Sequence, residues 1–111
     1  MGGKSARTKG HSFERAIANE FVELGWKEAK RHLEMQFQEA QGFDLDNTYP
    51  FKVQCKKWKD YCPISTMKEI SFKAGEIPVL ITAADYKDPM VVLKWEDLKR
   101  LLKILKDDEK I

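Results

Sequence analysis

Long apolar runs are missing from this 111-residue chain. None approaches the roughly 20 residues of a bilayer-spanning helix, so a membrane is not among the expected partners. The opening stretch Met-Gly-Gly-Lys-Ser-Ala-Arg-Thr-Lys-Gly has no apolar core of the kind that directs secretion, and a cytoplasmic location is expected. Cysteine is scarce. Cys55 and Cys62 stand seven positions apart, with no second pair to complete a tetrahedral zinc site. Two free thiols are expected, as is usual inside cells. The sequence holds no glycine-rich phosphate loop, no dinucleotide fingerprint and no Ser-His-Asp set. These absences argue against a P-loop nucleotidase, a nicotinamide enzyme and a serine hydrolase, and no small-molecule cofactor is expected. No internal repeat or low-complexity tract is present either.

What is present fits one domain. Hydrophobic residues make up 42% of the chain, enough for an ordinary packed core and above the disordered range. A domain this small buries a modest share of its surface, so pairing with a second copy would add to its stability. The net charge of +2 says little by itself. Its basic surplus lies in two clusters, Lys4, Arg7, Lys9 and Arg15, then Lys52, Lys56, Lys57 and Lys59. Both suit phosphate contacts, although a solvated surface uses such clusters as well.

Residues 1–10 are small, polar and basic and read as a flexible arm. Ser12 can cap a helix over residues 12–24, with Phe13, Ile17, Phe21 and Leu24 on one face and Gly25 as its stop. Residues 26–33 can form a strand and 34–41 a loop. Residues 42–46 and 51–58 read as a hairpin turned by Asn47-Thr48-Tyr49-Pro50. A second helix follows Pro63, capped at Thr66 with Glu69 or at Ser65, with Met67, Ile70 and Ala74 as its stripe and Gly75 as its end. The run 77–82 is a buried strand, 85–89 a turn and 90–95 another strand. Leu98, Leu101, Leu102 and Leu105 mark a last amphipathic helix, and 107–111 fray. The order predicts an α/β domain over residues 11–106, with a central mixed sheet flanked by helices.

The period of two carries the chemistry. On residues 51–58, Val53 and Cys55 point one way and Gln54, Lys56 and Trp58 the other; Asp44 and Asp46 share a face on the preceding strand. Phosphodiester hydrolysis needs an activated water, neutralised charge and a stabilised leaving oxygen, and a divalent cation can serve all three. Mg²⁺ is held by few carboxylates, and a lysine beside it can hold developing charge. An acid on one strand, then a ligand and a lysine two apart on the next, meets those needs. Asp44, Gln54 and Lys56 have that spacing. Lysine is depleted inside strands, although lysines also protect edge strands. Glu14 is a further acid, and the helix dipole alone also favours it in a first turn.

The stretch Gly42-Phe43-Asp44, then Phe51-Lys52-Val53-Gln54-Cys55-Lys56-Lys57, resembles the D…(D/E)XK core of the PD-(D/E)XK nucleases. Lys9-Gly10-His11-Ser12-Phe13-Glu14-Arg15 resembles the K-G-x-x-x-E-R opening of the archaeal and viral Holliday junction resolvases. The resemblance covers roughly residues 9–105. It implies a restriction-endonuclease-like fold and a homodimer that cuts four-way DNA junctions with Mg²⁺, Mn²⁺ substituting. It implies Asp44, Gln54 and Glu14 as metal ligands and Lys56 as the catalytic lysine. Lys4, Arg7, Lys9, Arg15, Arg31, Lys57 and Lys59 would bind DNA. A viral chain would work in the host-cell cytoplasm. One departure stands out: the acid usual two residues before the lysine is Gln54, and Asp46 is a candidate to compensate. The same residues also admit a non-cleaving DNA-binding protein, or a nuclease acting on flaps or duplex. His11 and His32 have no ligand-type partner in sequence, so no metal role is expected of either.

Overall fold

The apolar run at residues 77–82 folds as expected into a strand buried at all six positions. Around it the computed structural model describes residues 2–33, 42–57, 63–83 and 88–111, with the side chains of residues 2–9 and 63 outside that description. The elements are α1 (Gly2–Leu24), β1 (Lys30–Arg31), β2 (Leu45–Asp46), β3 (Phe51–Lys56), α2 (Pro63–Lys68), β4 (Ile77–Thr82), β5 (Met90–Leu93) and α3 (Trp95–Asp107). The architecture is the expected mixed α/β one. β4 pairs parallel with β3 and antiparallel with β5, and β1 pairs antiparallel with β2 in a separate two-stranded ladder.

Helices cover both faces of the three-stranded sheet. Val53 and Cys55 of β3 and Ile77, Val79 and Ile81 of β4 pack against Ile17 and Ala18 of α1, with Phe13, Phe21 and Leu101 of α3 at the margin. Leu80, on the opposite face, packs with Met67 and Ile70 of the α2 segment and with Phe43. A strand covered on both faces must be apolar throughout, which is why residues 77–82 lack the alternation seen on β3. Pro78 is tolerated there because Ile77 N donates toward β3, to Pro50 O at 2.7 Å. The proline nitrogen therefore faces the β5 side, and β5 pairing begins only at Val79.

Several expectations need correction. α1 reaches back to Gly2, so Ser12 lies inside a helix and the basic segment 2–10 is helical. Gly25 does end it: with φ +123° it lets Trp26 N reach Phe21 O, a Schellman-type closure. Leu24, however, is exposed. Residues 26–33 yield only the two-residue β1. α2 begins at Pro63, a favoured first position, so Thr66 lies within it and forms no capping box with Glu69; Ala74 and Gly75 lie beyond its end. β5 stops at Leu93 because Trp95 already opens α3. α3 closes through Glu109 at φ +57°, with Lys110 N bonded to Leu105 O. The expected turn residues 85–87 lie outside the described residues.

The hairpin expectation is half right. β2 forms its ladder with β1, not β3. It meets β3 through Asp44 N, which donates to Val53 O at 2.7 Å. Gly42 permits this approach. Its φ is +75°, and a Cβ there would collide with the backbone carbonyl of Glu69 just past α2. Gly42→Ala is therefore expected to destabilise the domain by at least ~2 kcal/mol, a backbone-strain effect. Urea unfolding checks this, and a change below ~0.5 kcal/mol would show that the contact yields.

Candidate active site

The site forms where β2 and β3 diverge. The Asp44 Oδ2 accepts the Cys55 backbone N–H at 2.7 Å, so a side chain stands where a regular antiparallel partner would offer a main-chain carbonyl. Gln54, next to Cys55, is buried. Its amide orientation is set by its partners. With the amide turned so that each end meets a complementary partner, the nitrogen donates to Gly42 O at 2.6 Å and to Asp44 Oδ2 at 3.1 Å, and the oxygen accepts from Lys56 Nζ at 3.3 Å. Asp44, Gln54 and Lys56 thus meet in one hydrogen-bonded row. The alternation on β3 behaves as expected: Val53 and Cys55 enter the core under α1, leaving Gln54 and Lys56 to the other face.

Glu14 approaches from the helix side. Its Oε1 lies 3.4 Å from Arg31 Nε, and both side chains are largely buried. Burial pushes the Cys55 thiol far above its usual range, and the negative charges of Asp44 and Glu14 push it further. The thiol therefore stays protonated and offers no soft metal ligand. Cys55 is free, as expected; Cys62 lies outside the described residues.

The expected DNA-binding residues fall into three groups. Arg15 and Arg31, with Lys30, line a shallow recess of about 370 Å³ beside α1. Lys57 follows the end of β3 and is exposed. Lys4, Arg7 and Lys9 lie on the first half of α1, but their side chains, like Lys59 and Trp58, lie outside the described residues. Trp26 is a packing residue: it stacks edge-on to Phe21 and Phe51, and its Nε1 donates to Tyr49 O at 2.7 Å.

Sequence reasoning missed one pair. Asp46 was the candidate compensating acid. Its Oδ1 instead engages His32 Nδ1 at 2.8 Å, and the His32 ring packs on Phe43 with 4.6 Å between centroids. His32 directly follows β1 and is mostly buried. Its backbone N–H also donates to Asp44 O at 2.7 Å, so it braces the strand that carries Asp44. The signal lay in the pairing of residues 30–32 with 44–46, which no local pattern in the sequence specifies.

Among the described residues, no three His, Cys, Asp or Glu side chains cluster closely enough to hold a metal by themselves. No described helix is long and apolar enough to cross a membrane. No protein-family model matches the chain, and no curated protein or solved structure matches it either.

The Cys55 environment has a measurable consequence. The folded state holds this proton more tightly than the unfolded chain, whose thiol ionises near its ordinary value. Stability therefore falls as pH rises above that value, by at most about 1.4 kcal/mol per pH unit. In a Cys62→Ser background, Cys55→Ala is expected to remove that part of the alkaline slope between pH 8 and 10. Equal slopes in the two proteins would show that the thiol ionises freely when folded.

Proposed function

We propose that this chain is a structure-selective endodeoxyribonuclease of the PD-(D/E)XK fold, a Holliday junction resolvase that cuts four-way DNA junctions by Mg²⁺-dependent hydrolysis. One observation carries the reading: the Gln54 amide is joined at one end to Asp44 and at the other to Lys56. The acid, second-ligand and lysine positions of the motif form one hydrogen-bonded row, and we infer that they line one substrate cleft. The order of elements and the parallel β3–β4 pair after an antiparallel β1–β2 pair support the same fold.

The donor set fits a hard divalent cation. Its ligand atoms are oxygens, and the nearby Cys55 sulfur is kept protonated. Mg²⁺ asks for one or two carboxylates, with water and phosphate oxygens completing its shell. Asp44, with Gln54 and Glu14, would hold it, Gln54 by turning its amide oxygen toward Asp44. When bound, the ion supplies charge neutralisation and a more acidic water. Lys56 holds an ammonium beside the same cleft, where it orients water and stabilises charge on the phosphate in the transition state. Arg15, Arg31 and Lys57, with Lys4, Arg7, Lys9 and Lys59, bind backbone phosphates. Leu102 and Leu105 on α3 are more exposed than a finished core would leave them, which supports a homodimer whose two-fold axis suits a four-way junction.

A second reading, a nuclease-fold protein that binds DNA without cutting, is favoured by the same amide. It closes on Asp44 as a neutral donor, so the row is satisfied with one negative charge fewer than two acids would bring.

Cleavage of labelled four-way junction, flap and duplex DNA separates the readings. Wild type is expected to cut the junction in Mg²⁺ and not in EDTA, with binding that weakens steeply with salt. Binding without cutting at any Mg²⁺ or Mn²⁺ level supports the second reading; preference for flap or duplex would remove the junction assignment. Asp44→Asn, which keeps an oxygen to accept the Cys55 N–H, is expected to lose cleavage by at least ~100-fold while junction affinity stays within about threefold.

Gln54→Glu tests the amide. The substitution replaces two donated hydrogen bonds with a carboxylate facing Gly42 O and Asp44 Oδ2. The metal-free variant is expected to lose ~1–3 kcal/mol of stability, to regain it in Mg²⁺ and to cut at least as fast as wild type. A complete loss of cleavage with unchanged stability would show that the amide has a role no acid can fill.

A further inference from the structure

Thr82 is the polar end of an otherwise apolar strand, Ile-Pro-Val-Leu-Ile-Thr. It is only 6% exposed, and its Oγ1 has no hydrogen-bond partner among the described residues. A buried hydroxyl without a partner is uncommon and opposes folding. A valine would fill the same space without that penalty.

The register places this hydroxyl. The parallel β3–β4 ladder pairs Lys56 with Thr82, and Ala83 N donates to Lys56 O at 3.2 Å just beyond, which holds the pairing to its last residue. Partners in register project from the same face of a sheet. Gln54 pairs with Leu80 on that face, one step earlier. On the other side of Thr82 the paired residue is Met90 of β5, which is exposed, so this end of the sheet opens to solvent. Thr82 therefore shares a face and an end of the sheet with Gln54 and Lys56, with a donor that no described residue accepts.

We propose that Thr82 binds phosphate in that cleft, its Oγ1–H donating to a non-bridging oxygen of the DNA phosphodiester held beside Lys56. The inference rests on the nuclease reading of the site and adds a substrate contact to it. A phosphate oxygen is a charged acceptor, and bonds to charged acceptors are among the strongest a hydroxyl makes. A hydroxyl that no described residue satisfies is what a substrate contact requires, since the partner then arrives with the complex.

The test compares wild type, Thr82→Val and Thr82→Ser by thermal unfolding, by junction binding in EDTA and by Mg²⁺-dependent junction cleavage. Thr82→Val is expected to unfold at or above the wild-type temperature, to bind the junction more weakly and to cut it at least ~10-fold more slowly, about the loss of one charged hydrogen bond. Thr82→Ser is expected to restore cleavage to within about threefold of wild type, since it keeps the donor. Wild-type cleavage by the valine variant overturns the proposal. So does a valine variant that unfolds at lower temperature and is not rescued by serine, because the hydroxyl would then be structural. If wild type cuts no DNA, the nuclease reading falls by itself, and the binding arm decides Thr82. Weaker junction binding by the valine variant then supports the phosphate contact, and equal binding overturns it.

Discussion

The Asp44 carboxylate accepts the Cys55 amide proton at 2.7 Å, in the place a strand partner's carbonyl would take. Together with the Asp44 N–H to Val53 O, this bond joins the β1–β2 ladder to the sheet of β3, β4 and β5. A backbone donor left unpaired at a strand divergence costs free energy, and a carboxylate is costly to desolvate unless it accepts hydrogen bonds. Each need answers the other. The result is a carboxylate fixed at the divergence by strand geometry, with the Gln54 amide drawn onto its Oδ2 and Lys56 onto the amide oxygen. Every other feature of the candidate site depends on that anchored acid.

The anchor is held by packing on the opposite face. Val53 and Cys55 lie in the core with Ile17 and Ala18, and strand alternation then leaves Gln54 and Lys56 no face but the one beside Asp44. A slip of one residue would send Lys56 into the apolar core, which burial of an unpaired ammonium forbids. Gly42 completes the geometry from the other direction. Its positive φ and missing Cβ let the chain enter β2 tight against the backbone at Glu69, and its carbonyl becomes an acceptor for Gln54. His32 and Asp46 brace the outer strand.

Much of this was legible in the sequence where periodicity is strong. The alternation of residues 51–56 separated core from cleft, and the apolar run 77–82 marked the central strand. The approach of Asp44 to Gln54 followed from two strands joined by a turn. The ladder itself did not, because β2 divides its bonds between β1 and a single link to β3. The first half of α1 was illegible, since residues 2–9 are small, polar and basic and carry no apolar stripe. The Thr66–Glu69 spacing looked like a cap, but Pro63 starts α2 three residues earlier. His32 had no visible partner because Asp46 is fourteen residues away and meets it only through strand pairing. Nor did Thr82 show its orphan hydroxyl: threonine is an ordinary strand residue, and an unsatisfied atom is visible only once its neighbours are placed.

Gln54 gives the site its particular chemistry. Two acids facing each other need a cation or a shared proton between them, whereas an amide can bond the acid directly and hold the row together without either. An ion bound here must compete with that amide for Asp44. The most direct measurement is therefore a crystal of the protein soaked in Mn²⁺ and measured at the manganese absorption edge. An anomalous peak within coordination distance of an Asp44 carboxylate oxygen, with the Gln54 amide turned to present its oxygen, is expected. Full Mn²⁺ occupancy elsewhere, with the Gln54 amide still bonded to Asp44, would contradict a metal-dependent nuclease centre at this cleft.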